Sequence, residues 1–189
     1  MTELTRAFVA VEISEGARRQ IADLLGRLGR EPGVPVRWVR PELMHLTLAF
    51  LGEVSGDFLE SAKVRLADVT PQHRVLTMQL RGLGAFPSPA RARVVWVGTE
   101  QGKDEVCALQ AGVVKALRSA GYQPERRPFS PHLTIGRLRE PGDVSRAVAV
   151  QFESEPFTVD SVVLFRSVLG PGGPAYSRLA ELPLRKGQG

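Results

Sequence analysis

Residues 45–52, HLTLAFLG, and residues 132–139, HLTIGRLR, are two versions of one segment, and their reading decides the architecture. Each opens His-Leu-Thr followed by an aliphatic residue. They start 132 − 45 = 87 residues apart in a chain of 189, close to half its length, which is the mark of a duplicated supersecondary unit. In a strand, residues two apart share a face. His45 with Thr47, and His132 with Thr134, therefore each set an imidazole beside a hydroxyl, while Leu46, Leu48, Leu133 and Ile135 turn the other way, into a core. If the halves pack about a pseudo-twofold axis, the two strands face one another across a groove. The remaining histidine, His73 in TPQHRV, belongs to a surface turn between a helix and a strand.

Outward from these segments, residues 4–13 form a β-rich run, and Ser14 caps a helix whose apolar positions are Ala17, Ile21, Leu24, Leu25 and Leu28. EPGVP at 31–35 breaks that helix, and 36–39 reads as a short strand. Residues 57–69 have helical spacing and end before Pro71. Residues 75–83 and 91–97 read as two strands joined by AFPSPA, and 103–120 is the strongest helical segment, closed by Gly121. After the second motif, 143–150 reads as a short helix capped by Asp143. Residues 157–169 and 176–184 are strands around the turn GPGGP, and 185–189 is a frayed polar tail. Strands joined by short turns, with few helices, predict an α+β fold built on antiparallel sheet. GLGAFP near Gly82 and GPGGP near Gly170 are read as turns, since neither places a helix start after a strand as a phosphate cradle requires.

Composition narrows the class. With 43% hydrophobic and 24% charged residues the chain is an ordinary folded protein, and no apolar run approaches the roughly 20 residues that cross a bilayer. The opening MTELTRAFVAVEI lacks the pattern of a secretory signal, so a cytoplasmic protein with no membrane association is expected. The single cysteine, Cys107, rules out an internal disulfide and a cysteine-built metal site. Net charge is +5, and with four lysines among 25 basic residues the other 21 are arginine. Arginine forks suit phosphate and a basic surface suits polyanions, although a genome rich in arginine codons yields the same imbalance.

Two imidazoles and two hydroxyls around one small anionic group suit in-line attack at phosphorus. One histidine takes a proton from the nucleophile, the other protonates the leaving oxygen, and the hydroxyls donate to the nonbridging oxygens as charge builds. Two histidines with no Asp or Glu within two residues make a poor zinc site, so a site without metal or cofactor is expected.

HLTL at 45–48 and HLTI at 132–135 resemble the paired motifs of the two-histidine (2H) phosphoesterase superfamily. More closely, the chain resembles the bacterial and archaeal RNA 2′,3′-cyclic phosphodiesterases, also called 2′-5′ RNA ligases. RAFVAVEI, RWVRPELMHLTLAFLGEV, RVVWVG, PFSPHLTIGR and VVLFRSVLGPGGPAYSRL carry the resemblance over nearly the whole length. It implies a single bilobal domain, residues 1–189, with an antiparallel sheet and one motif per lobe flanking a central groove and helices outside. It further implies opening of 2′,3′-cyclic phosphate on RNA ends to 2′-phosphate by a monomer, with His45 as proton donor to the 3′ oxygen and His132 as proton acceptor from water. Thr47 and Thr134 match the phosphate-holding hydroxyls. Arg137 matches a basic position of the second motif, but its odd spacing from His132 demands a bulge or bend to share that face. Trp38, Phe50, Phe129 and Tyr176 are stacking or core residues, and Arg126 and Arg127 are a groove rim or a loop end. Three alternatives stay open: a phosphodiesterase of small cyclic nucleotides, a non-catalytic RNA-binding module, and a ligase running the reverse reaction.

Overall fold

A computed structural model of the chain describes residues 4–30 and 36–187. Two four-stranded antiparallel sheets meet at its centre. The first has the order β10 (Gly173–Pro183), β9 (Ser161–Gly170), β1 (Thr5–Glu12), β3 (His45–Val54); the second has β2 (Arg37–Trp38), β7 (His132–Gly142), β6 (Ala92–Thr99), β5 (Leu80–Phe86). One motif opens β3 and the other opens β7, and these two strands lie against each other where the sheets meet. The bilobal α+β arrangement with antiparallel sheets is as expected from the sequence.

Alternation along each strand separates core from groove. On β1, Ala7, Val9 and Val11 are buried in the main core with Leu46 and Leu48 of β3, while Phe8 and Ala10 join Val163, Phe165 and Tyr176 in a second apolar cluster. Leu133 and Ile135 of β7 are fully buried with Val95 and Val97 of β6, as the two-residue period dictates.

Three helices complete the core: α1 (Glu15–Leu28), α2 (Gly56–Val69) and α3 (Lys103–Arg118). The Ser14 and Ser55 hydroxyls accept from the Ala17 and Phe58 amides at 3.1 and 3.2 Å, satisfying first-turn donors of α1 and α2. Ile21 and Leu24 of α1, Leu66 of α2, and Leu109 and Leu117 of α3 are fully buried, at the spacing of one helical face. The expected helix break at EPGVP lies outside the described residues.

Five expectations need correction. The run 75–83 is divided at Gln79 between β4 (Leu76–Met78) and β5, and 157–169 is divided at Asp160 between β8 (Phe157–Val159) and β9. β4 and β8 pair with each other as a third, two-stranded sheet. Gly82 is a bulge inside β5, at φ 69°, rather than a turn. The helix expected over 143–150 shrinks to α4 (Ser145–Val148), although Asp143 Oδ1 does accept from the Ser145 amide at 2.8 Å. Arg185 is not frayed: it bridges to Arg74, its amide donating to His73 O and its carbonyl accepting from Val75. The last tail residues, 188–189, fall outside the described residues.

Candidate active site

The two histidines are held alike. His45 Nδ1 lies 2.8 Å from Leu43 O and His132 Nδ1 lies 2.7 Å from Ser130 O, in each case the carbonyl two residues earlier. A carbonyl only accepts, so Nδ1 carries the hydrogen in both rings and Nε2 is left for proton transfer. The short 3-10 turn Pro41–Leu43 presents the first of these carbonyls. Arg18 of α1 anchors that turn, donating to Pro41 O and, at 3.4 Å, to Met44 O.

Around His45 the groove is aromatic. Phe8 stacks on it with ring centroids 4.5 Å apart, Tyr176 meets it edge-on at 5.3 Å, and Phe165 lies 6.1 Å away. Burial in this apolar setting, opposed by the Leu43 hydrogen bond and reinforced by the charges of Arg18 and Arg137, lowers the His45 pKa from 6.5 to about 4. His132 has Phe86 edge-on at 5.1 Å and Trp96 at 6.2 Å. Trp96 fits there because Gly84, facing it on β5, has no side chain; a Cβ there would come 2.2 Å from the indole.

Thr47 pairs with Ala10 and Thr134 with Trp96, each two residues on from its histidine and, like it, half-buried. Neither hydroxyl has a protein hydrogen-bond partner among the described residues, so both can donate to an anion in the groove.

Immediately after each threonine the ladder slips by one residue. On β3 the partners run Ala10↔Thr47 then Val9↔Ala49, passing over Leu48; on β7 they run Trp96↔Thr134 then Val95↔Gly136, passing over Ile135. The carbonyls of the two bulged residues are met from outside the ladder, Leu48 O by Gln110 Nε2 at 3.3 Å and Ile135 O by the Val39 amide at 2.9 Å. A bulge shifts the alternation by one. It turns Arg137 onto the face of His132 and Thr134, meeting the requirement that its odd spacing imposed. The same shift turns Phe50 onto the face of His45 and Thr47. The guanidinium of Arg6 lies over the Phe50 ring, 4.8 Å from its centroid. Arg137 comes from the second sheet, yet its charge acts on His45 and on Tyr176, both in the first.

The other sequence candidates divide. Tyr176 and the exposed Phe50 line the groove, whereas Trp38 covers Gly136 and packs with Phe129 against the main core. Arg126 and Arg127 are exposed on the loop before β7. His73 is half-buried rather than on the surface: it abuts Gly112 of α3 and lines a separate cleft with Gln72, Arg74 and Glu105. Sequence reasoning missed Phe8, Phe165, Phe86 and Trp96. They come from strands without a motif, and strand alternation on β1 is the signal that marks Phe8. Among the described residues no group of three or more His, Cys, Asp or Glu side chains is placed to hold a metal ion.

Comparison with known proteins agrees with this geometry. The family model described as LigT like Phosphoesterase matches twice, over residues 11–96 and 97–176, one match for each motif. The chain is 37% identical to an RNA 2′,3′-cyclic phosphodiesterase of Aeropyrum pernix, the match covering 84% of this chain and 96% of the relative. It is 35% identical to a protein of the same name from Archaeoglobus fulgidus, covering 92% and 97%. Among solved structures, E. coli LigT complexed with 3′-AMP superposes with a TM-score of 0.78 at 27% identity, covering 96% of this chain and 99% of that one. A duplicated motif, one sheet for each copy and matches over nearly the whole length lead to one conclusion: the chain belongs to the LigT-like phosphoesterase family.

Proposed function

We propose that the groove hydrolyses 2′,3′-cyclic phosphate at RNA ends to 2′-phosphate, with His45 and His132 as its acid and base. The observation that carries this reading is the matched pair: two imidazoles held in one tautomer, each with a free threonine hydroxyl on its face, on strands that lie against each other. Water attacks phosphorus opposite the 3′ oxygen and gives its proton to His132 Nε2. The bond from phosphorus to O3′ breaks, and O3′ takes a proton from His45 Nε2. Thr47, Thr134 and Arg137 donate to the nonbridging oxygens as negative charge accumulates there. The names of the relatives support the RNA substrate, and both motifs lying in one chain supports action as a monomer. No step draws on a metal or cofactor. Ligation of 2′-5′ ends is the same opening of the cyclic phosphate with a 5′ ribose hydroxyl in place of water: the bond from phosphorus to O5′ forms and that to O3′ breaks.

One observation favours the opposite division of labour. A histidine with a pKa of about 4 is neutral at pH 7, as a base must be. The donor role for His45 therefore requires the bound phosphate anion to raise its pKa. Imidazole NMR of the complex with a nucleoside 2′-phosphate decides this: a His45 pKa above 6 is expected, and one that stays near 4 reverses the two roles.

The activity itself is tested with an oligonucleotide ending in 2′,3′-cyclic phosphate, in EDTA, with the product phosphate mapped. Hydrolysis to the 2′-phosphate is expected, with His45→Ala and His132→Ala each slower by about 10²–10⁴-fold. Inhibition by EDTA, or full activity in either variant, contradicts the proposal.

A further inference from the structure

Beside the reacting centre stands a pair of like charges. Arg37 of the two-residue strand β2 is the register partner of Arg137 on β7. Directly opposed residues project from the same face of a sheet, so Arg37 shares the groove face with Arg137. The next position confirms the parity, because Trp38 pairs with Gly136 and packs down onto it from the core side. Like charges directly opposed across a ladder repel, and a fold normally relieves them with a carboxylate. Here both arginines are exposed, and neither has an ion-pair partner among the described residues, whereas Arg18, Arg81 and Arg178 do. The first half offers no counterpart: β3 is the edge strand of its sheet, and Phe50 occupies the position equivalent to Arg137.

We propose that Arg37 and Arg137 together hold a second phosphate, the internucleotide phosphate on the 5′ side of the terminal nucleotide, so that the site selects an RNA strand over a cyclic mononucleotide. This rests on the phosphodiesterase reading above. With the bulge counted, Arg137 lies two residue steps beyond Thr134, roughly 7 Å along the strand, comparable with one nucleotide step of an extended strand. Two planar guanidinium forks one strand spacing apart match the oxygens of a phosphodiester, and the anion relieves their repulsion. Arg137 serves both phosphates, since its charge reaches His45; Arg37, one strand further out, serves the second alone.

The test compares kcat/KM on a trinucleotide ending in 2′,3′-cyclic phosphate with kcat/KM on a cyclic mononucleotide, for the parent protein, Arg37→Gln and Arg37→Lys. Arg37→Gln is expected to lower the ratio of the two about tenfold, as loss of one charged hydrogen-bonding group does, with Arg37→Lys between. Binding of a fluorescent trinucleotide carrying a terminal 2′-phosphate, followed by anisotropy between 50 and 200 mM salt, is expected to show a salt slope smaller by about one in Arg37→Gln. A ratio within twofold of the parent, or an unchanged salt slope, overturns the assignment. Failure of the parent to turn over either substrate overturns the phosphodiesterase reading instead, and the anisotropy measurement then decides on the arginines alone.

Discussion

The sharpest physical anomaly at the residue scale is the imidazole of His45. Its native pKa of about 4, against 6.5 unfolded, makes the unfolded chain the stronger proton binder between those values. Stability therefore falls as pH drops through 6.5 and levels off near 4, by up to about 3 kcal/mol for a shift of this size. Burial lowers the pKa of His73 as well, in the same direction, so the useful quantity is a difference between proteins. Urea unfolding at pH 7.5 and pH 4.5 is expected to show a smaller loss in His45→Gln than in the parent; equal losses would mean that His45 is not held neutral by the fold. The histidines and threonines were legible in the sequence because each pair sits within a three-residue stretch of one strand. Of the aromatic rings that set the His45 environment only Tyr176 was: Phe8 and Phe165 reach it from two further strands, and the register brings all three together.

Among the elements, β2 shows how little chain can position a group. Its two residues are fixed by pairing with β7 and by Trp38 lying over Gly136. A Cβ at residue 136 would come 2.5 Å from Val36 and 2.8 Å from Trp38, so Gly136→Ala must push the strand outward. The expected cost is about 1–3 kcal/mol of stability, read by urea unfolding. The same variant should lose part of any preference for a trinucleotide, because Arg37 moves with the strand. Element types were legible from periodicity, but the breaks at Gln79 and Asp160 were not. Each falls within a β-rich run with no proline or glycine at the break itself, and only pairing across the molecule assigns the two parts to different sheets. The slip at Leu48 was invisible for a related reason, since a bulge is a property of two strands and not of one; the slip at Ile135 was signalled only by the odd spacing of Arg137 from His132.

For the whole molecule, the bilobal plan was legible because duplication leaves both motifs intact. What it yields is one working unit assembled from two halves, and the kinetics should show this. On the proposed mechanism, removing either imidazole disables the same proton exchange, so the double variant His45→Ala/His132→Ala is expected to be no slower than the worse single variant. Multiplied losses, measured on a cyclic-phosphate oligonucleotide, would indicate two independent contributions. The paired bulges carry a last consequence. Two imidazoles and two hydroxyls on matching backbone positions would, by placement alone, accept a phosphodiester head-first or tail-first with equal ease. The bulges expose the sixth residue of each copy, and there the halves have diverged, to an aromatic ring at Phe50 and a cation at Arg137. With the deeper burial of His45, that divergence gives a pseudosymmetric centre a direction, so on the phosphodiesterase reading a ribose and its phosphate are expected to fit one way round.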